Sequence, residues 1–180
     1  GISSNKSVSA NIINSLKKLE YRGYDSAGIA TLSNGIITEV KSKGRVDNLE
    51  KNFDLKNLSG NIGIGHVRWA THGVPSSINA HPHSSDNVSV VHNGIIENST
   101  LLKKHLISKG HIFKSQTDTE VIAHLITENL KKFELQEAIT KTLKQLHGSF
   151  ALGIIFKDQS DLIVGARRGS PLAVGYGPNE

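Results

Sequence analysis

The stretch Asn61-Ile62-Gly63-Ile64-Gly65-His66-Val67-Arg68, running on into Trp69-Ala70-Thr71-His72-Gly73, is the place from which the chain is best read. Its residues alternate, so that Ile62, Ile64 and His66 fall on one side of an extended backbone. An apolar strand therefore ends in a dense polar run. Strand ends and loops present side chains from a rigid frame, which is where catalytic and binding groups concentrate. Three other segments have the same character: residues 21–26 (Tyr-Arg-Gly-Tyr-Asp-Ser), His92-Asn93-Gly94, and residues 115–120.

Working outward, Val8, Ile12, Ile13, Leu16 and Leu19 recur at helical spacing, which predicts an amphipathic helix over 7–20 with Ser7 as its N-cap. Residues 28–32 and 36–40 read as short strands joined by the hairpin signal Ser33-Asn34-Gly35. Residues 88–91 form another strand. A helix is expected from near Asn98 to Lys109, stopped by Gly110. A second begins at Thr117-Asp118 and carries Val121, Ile122, Leu125, Ile126 and Leu130. A third holds Leu135, Ile139, Leu143 and Leu146, and residues 149–156 and 162–166 return to strand. The order is helix, strands, helices, strands, without βαβ alternation. It predicts an α+β fold in which mixed sheets pack with helices. The end, residues 175–180, holds two glycines and a proline and reads as a point of truncation.

The composition narrows the class. The chain has 180 residues, enough for one compact domain with a core that needs no disulfide. At 37% apolar and 21% charged it is neither a disordered tail nor a membrane protein, and the first thirty residues lack a signal-peptide stretch. There is no cysteine, which excludes disulfides, thiolate metal sites and a cysteine nucleophile among these residues. The net charge is +5, but the basic residues are scattered in pairs and aromatics are only 5%. That pattern suits solvated helix faces better than a nucleic-acid surface.

Within the polar segments, Arg68 can hold a carboxylate in a bidentate fork, or serve equally as half of a structural ion pair. Asp118, in Thr-Asp-Thr-Glu at a helix start, is expected to cap that helix and is also placed to hold an ammonium group. Asn93-Gly94 is a hairpin signal, yet Glu97 and Asn98 soon start a helix. Its alternative is an oxyanion hole built from the Asn amide and the Gly backbone N–H. His66, His72, His81, His83 and His92 raise a metal hypothesis. None of them forms a helical His-x-x-x-His pair and Asp86 is the only acid among them, so no metal site is expected.

Six blocks taken in order resemble the glutaminase domain of the glutamine–fructose-6-phosphate aminotransferase (glucosamine-6-phosphate synthase) family, among the class II glutamine amidotransferases. The blocks are residues 20–28, 66–73, 79–83 (Asn-Ala-His-Pro-His), 92–98, 117–120 and 168–172 (Arg-Gly-Ser-Pro-Leu). Any one is weak; six in register are strong. The related amidophosphoribosyltransferases usually carry His-Arg-Gly-Gln-Asp at 21–25 and Tyr-Ser-Thr at 69–71, so the match favours the sugar-phosphate enzymes over that alternative.

The resemblance implies the four-layer αββα sandwich of N-terminal-nucleophile hydrolases, and hydrolysis of L-glutamine to glutamate and ammonia. It implies no metal or organic cofactor, a cytoplasmic location, no nucleic-acid or membrane partner, and in the full-length enzyme a sugar-phosphate isomerase domain and a homo-oligomer. It implies that Arg68 grips the glutamine α-carboxylate and Asp118 its α-ammonium. Trp69, Thr71 and His72 belong to a loop that closes over glutamine, Asn93 and Gly94 form the oxyanion hole, and Arg22 supports the N-terminal residue. The family begins Cys-Gly-Ile-Xaa-Gly, with the cysteine as nucleophile, whereas this sequence opens Gly1-Ile2-Ser3-Ser4. Aligned from Tyr21, Gly1 fits the second glycine of that motif, about four residues after the cysteine. The expectation is a glutaminase domain trimmed at both ends, inactive as written; a glutamine-binding regulatory domain is the non-catalytic alternative.

Overall fold

The computed structural model describes residues 1–54 and 57–178. In chain order the elements are β1 (Ile2–Ser3), α1 (Ser9–Leu19), a 3-10 turn (Glu20–Arg22), β2 (Ser26–Ser33), β3 (Ile36–Lys43), α2 (Asp47–Asn52), β4 (Ile62–Arg68), β5 (His83–Ser85), β6 (Val88–Ile96), α3 (Ser99–Ser108), α4 (Glu120–Leu130), α5 (Leu135–Gln145), β7 (Gly148–Phe156) and β8 (Ile163–Arg168). They make two four-stranded antiparallel sheets, ordered β1-β4-β2-β3 and β5-β6-β7-β8.

Strand alternation assigns each sheet an inner and an outer face. Ala27 and Ile29 of β2 pack outward on Val8, Ile12, Ile13 and Leu16 of the α1 region and on Leu49 of α2. Ala30, Leu32, Ile62 and Ile64 point inward and meet Ile155 of the second sheet. Val88, Val90, Phe150, Leu152 and Ile154 point the other way, onto Leu102 and Leu106 of α3 and Val121, Ile122 and Leu125 of α4. The result is helices, sheet, sheet, helices, the four layers expected. The glycines of β4 permit it. A Cβ on Gly63 would lie 2.7 Å from Ile12 Cδ1, and one on Gly65 2.6 Å from Ile12 Cγ2, so α1 sits directly on the strand.

Several boundaries differ from the sequence reading. Helix α1 starts at Ser9 behind Val8, and no side chain caps it. Val8 is fully buried and its N–H donates to Gly60 O at 2.9 Å, so core packing rather than Ser7 fixes the start. The hairpin Ser33-Asn34-Gly35 is as expected, with Asn34 (φ 49°) and Gly35 (φ 73°) turning between paired Ser33 and Ile36. Strand β6 continues five residues past Val91 to Ile96, because β7 pairs with it along its whole length. Asn93-Gly94 is therefore mid-strand and not a turn. Helix α4 starts at Glu120, not at Thr117-Asp118. β1, α2 and β5 are short and carry too few residues for periodicity to mark. Of the terminal stretch 175–180, Asn179 and Glu180 lie outside the described residues.

Candidate active site

A cleft of about 450 Å³ opens where the C-terminal end of β4 meets the middle of β6 across the two sheets. All eight residues expected to act line it: Arg22, Arg68, Trp69, Thr71, His72, Asn93, Gly94 and Asp118. They come from the 3-10 turn, the end of β4 and its loop, β6, and the segment before α4. The exposed Leu19, which the helical pattern placed on the core face, sits at this cleft instead.

Arg68 is the last residue of β4 and is only 4% exposed. It shares the inner face with Ile62, Ile64 and His66 through the period of two. Its Nη2 donates to His72 O and, at 3.1 Å, to Gly73 O, so the guanidinium ties the following loop to the strand. Its Nη1 lies 3.8 Å from Asp25 Oδ1 and makes no hydrogen bond, although it is buried. Burial lowers the arginine pKa, while the charges of Asp25 and Asp118 oppose that shift. Nη1 is thus a buried donor without a hydrogen bond, held in an ion pair with Asp25. Asp25 lies in the polar segment 21–26, where no local pattern marks it as a partner of Arg68; its Oδ1 accepts from Ser26 Oγ at 2.7 Å.

The loop after Arg68 is pinned from its far side. Asn79 Nδ2 donates to Val74 O at 2.9 Å and to Gln116 Oε1 at 3.0 Å, and Gln116 N donates to Asn79 Oδ1 at 2.9 Å. Gly73 (φ 77°) must be glycine-like here, because a Cβ would lie 2.8 Å from both Asn79 Nδ2 and Gln116 Cβ. Asn79 and Gln116 each lie in a segment marked from sequence, but nothing in the sequence pairs them, since they are 37 residues apart. Trp69, 65% exposed, meets Tyr24 edge-on with ring centroids 6.1 Å apart, at the rim of the cleft. Thr71 and His72 are exposed beside it, with Thr71 Oγ1 3.3 Å from His72 Nδ1. Arg22 ends the 3-10 turn and is exposed to the cleft.

On the opposite wall, the alternation along β6 separates His92 from Asn93. His92 faces the helices, where its Nδ1 lies 2.9 Å from Thr119 Oγ1 just before α4. Asn93 faces the first sheet, where its Oδ1 lies 2.8 Å from His66 Nε2. Gly94 has φ 130°, and a Cβ there would lie 2.0 Å from Ser149 O, so only glycine fits. Ser170 and Pro171 complete this wall, with Ser170 Oγ 2.9 Å from Ser149 Oγ.

Asp118 does not cap α4. Its Oδ2 accepts the Ile96 backbone N–H at 2.7 Å and so fixes the carboxylate against the end of β6. The chain ahead of α4 is held instead by Glu120, which accepts from the N–H groups of Lys114 and Ser115. Burial raises the Glu120 pKa, but hydrogen bonds from His124, Lys114 and Ser115 outweigh that and hold it at about 2.

Four of the histidines gather, three of them around His81. His66 and His81 rings lie 4.3 Å apart, His81 and His83 5.0 Å, His81 and His92 6.5 Å. Among the described residues, no group of three or more His, Asp or Glu side chains is arranged to hold a metal ion. Burial is the main reason that these rings are hard to protonate. It lowers His66 to about 4 and His83 to about 3, and lowers His81 and His92 as well. They are buried, neutral rings: His66 turns to the facing sheet, while His92 and His83 turn to the segment ahead of α4, with His83 Nε2 3.0 Å from Thr117 Oγ1.

Two facing sheets bring a buried arginine, a carboxylate and a strand Asn-Gly to one cleft, and comparison with known proteins gives the class of the domain. The chain matches the glutamine amidotransferase domain family over residues 66–178, and it belongs to that family. It is 54% identical over its whole length to the glutamine–fructose-6-phosphate aminotransferase (isomerizing) of Mesorhizobium japonicum. It is 50% identical to that of Bartonella henselae and 49% to that of Zymomonas mobilis. It spans about 30% of the length of each of these relatives. Among solved structures it is similar to a glutamine phosphoribosylpyrophosphate amidotransferase from B. subtilis complexed with ADP and GMP. That likeness has a TM-score of 0.76 at 32% identity, over 86% of this chain and 34% of that one. A structure described as the allosteric regulatory enzyme of purine biosynthesis follows, with TM-score 0.73 at 34% identity, over 83% of this chain and 33% of that one. The sandwich implied by the resemblance is the fold shared with these amidotransferases.

Proposed function

We propose that residues 1–180 are the glutaminase domain of a glutamine–fructose-6-phosphate aminotransferase, with a cysteine ahead of Gly1 as nucleophile. The observation that carries this is the meeting of Arg68, Asp118 and Asn93-Gly94 in one cleft. Arg68 Nη1 would take the α-carboxylate of L-glutamine as a charge-assisted pair, and the free oxygen of Asp118 its α-ammonium. These two contacts fix the substrate by the end that does not react, which leaves the side-chain amide aimed along the cleft towards Asn93 and Gly94.

The register of β1 supports the place of the nucleophile. Ile2 pairs with Gly63 and Ser3 with Ile62, antiparallel. Continued upstream, that register sets the fourth residue before Gly1 opposite Arg68, at the mouth of the cleft. A cysteine thiol there would attack the amide carbon while its proton passes to the chain's own α-amino group. The carbonyl oxygen gains the negative charge, which Asn93 Nδ2 and Gly94 N–H would stabilise. The C–N bond then breaks, ammonia leaves with the proton returned from the α-ammonium, and water hydrolyses the thioester to glutamate. The loop of Trp69, Thr71 and His72 would cover the bound glutamine, exclude bulk water and keep ammonia from escaping. Arg22 would steady the N-terminal residue from the facing turn.

In the longer protein the ammonia would pass to an isomerase domain and aminate fructose 6-phosphate, yielding glucosamine 6-phosphate. That enzyme would be a cytoplasmic homo-oligomer with no nucleic-acid partner and no metal or organic cofactor. The test is glutamate release from L-glutamine by the full-length protein, with the upstream cysteine intact and replaced by alanine. Hydrolysis that depends on the cysteine supports the reading. Tight glutamine binding without hydrolysis in the intact protein would replace it with the regulatory-domain alternative.

A further inference from the structure

The hydrogen bond between His66 and Asn93 is a side-chain tie between the two sheets of the sandwich at the cleft. His66 stands on β4 and Asn93 on β6, and their Nε2 and Oδ1 are 2.8 Å apart. It is the one hydrogen bond that the Asn93 side chain makes among the described residues. An asparagine amide has two ends of opposite polarity, and only the NH₂ end can stabilise a developing negative charge. Something must therefore hold the amide the right way round.

The surroundings of the His66 ring decide this. A neutral imidazole carries one N–H, on one nitrogen or the other. The Nδ1 of His66 is buried and has no partner among the described residues. A proton placed on Nδ1 would be a buried donor with nothing to bond, at a cost of about 1–3 kcal/mol. It would also turn the bare lone pair of Nε2 on Asn93 Oδ1. With the proton on Nε2, the ring donates to Oδ1 and only an acceptor is left unpaired. A flipped Asn93 amide, donating to a bare Nε2, brings back the stranded Nδ1–H. Tautomer and amide orientation thus select each other, and the selected pair directs Asn93 Nδ2 away from His66 into the cleft.

We propose that His66 is a positioning residue for the amidotransferase reaction: by donating from Nε2 to Asn93 Oδ1 across the two sheets, it fixes the Asn93 amide with its NH₂ towards the oxyanion. The proposal rests on the glutaminase reading above. It also links the two ends of the substrate site, since His66 lies two residues before Arg68 on the same face of β4.

The experiment is steady-state glutaminase kinetics on the full-length protein with His66→Leu, His66→Gln, Asn93→Ala and the His66→Leu/Asn93→Ala double variant, each with its thermal unfolding midpoint. His66→Leu should lower kcat roughly 10- to 100-fold, less than the loss of a whole oxyanion donor, with KM for glutamine within about twofold. His66→Gln, whose amide N–H can still donate, should recover much of that loss. In the Asn93→Ala background, adding His66→Leu should change kcat by no more than about twofold, because the group it positions is gone. Losses that multiply in the double variant, or a rise in KM at unchanged kcat, would overturn the positioning role and leave the glutaminase reading standing. The same holds if His66→Gln is as impaired as His66→Leu while both unfold at the wild-type temperature. A wild-type full-length protein that hydrolyses no glutamine would overturn both.

Discussion

Arg68 and Asp118 each serve the fold and the cleft with different atoms, and substitutions can separate the two. Arg68 Nη2 holds the His72 and Gly73 carbonyls, while Nη1 makes no hydrogen bond and lies 3.8 Å from Asp25 Oδ1. Arg68→Lys keeps the charge but loses both the Nη1 donor and the Nη2 tie to the loop carbonyls, so in the full-length protein KM for glutamine should rise about 10- to 100-fold, as expected when a charged hydrogen bond worth about 1.5–3 kcal/mol is lost. Asp118→Asn retains an oxygen for the Ile96 N–H but not the negative charge. It should raise KM with little change in unfolding temperature. Asp118→Ala also strands that buried N–H, at about 1–3 kcal/mol, and should lower the unfolding temperature by several degrees. Equal thermal stability of the two Asp118 variants would show that the Ile96 bond is energetically idle. Asn93→Ala should lower kcat about 100- to 1,000-fold at near-normal KM, read from initial rates.

At the level of elements, β4 is the organising strand. Its glycines admit α1 on one face, while Ile62, Ile64, His66 and Arg68 run along the other from core to cleft. Gly65→Ala would set a Cβ 2.6 Å from Ile12 Cγ2 and 3.0 Å from Leu16 Cδ1. Overpacking of this kind typically costs about 1–3 kcal/mol, and chemical denaturation should show a loss in that range. An unchanged midpoint would mean that α1 shifts freely on the sheet. Arg68 was legible from its place at the polar end of an apolar strand, and the structure adds that it shares the face of Ile62 and Ile64. The Asp118 role as a cap was misread because the propensity of Asp for helix starts is local, whereas the Ile96 N–H that claims its carboxylate is 22 residues away. Asn93-Gly94 likewise reads as a turn by local preference, and pairing with β7 along nine residues overrides it.

For the molecule as a whole, the buried neutral histidines set a pH dependence. His66 and His83 titrate at about 4 and about 3 in the fold, and an unfolded histidine near 6.5. Between those values the unfolded chain binds more protons than the folded one, so stability rises with pH and is lost as pH falls below about 6.5. His81 and His92, lowered by the same burial, act in the same direction. Glu128, held at about 2 chiefly by Lys131 and Lys109, and Glu120, also near 2, extend the loss below pH 4.5, where unfolded carboxylates take up protons. The unfolding temperature should therefore fall steadily from pH 7 to pH 5 and further towards pH 3. A flat profile between pH 7 and pH 5 would contradict burial of these rings.

What the sequence determined by itself follows from short-range rules. Periodicity set out the long helices and strands, a two-residue Asn-Gly signal set the β2–β3 hairpin, and blocks of adjacent residues pointed to the family and to eight of the residues that line the cleft. What only the tertiary structure decided joins residues far apart in the chain. The extension of β6, the clasp of Asn79 and Gln116, the anchoring of Asp118 on Ile96 and the tie of His66 to Asn93 each need a partner supplied by another element. The physical reason is that a buried polar group must find its partner in space, and the nearest one is set by how two sheets face each other rather than by neighbours in sequence.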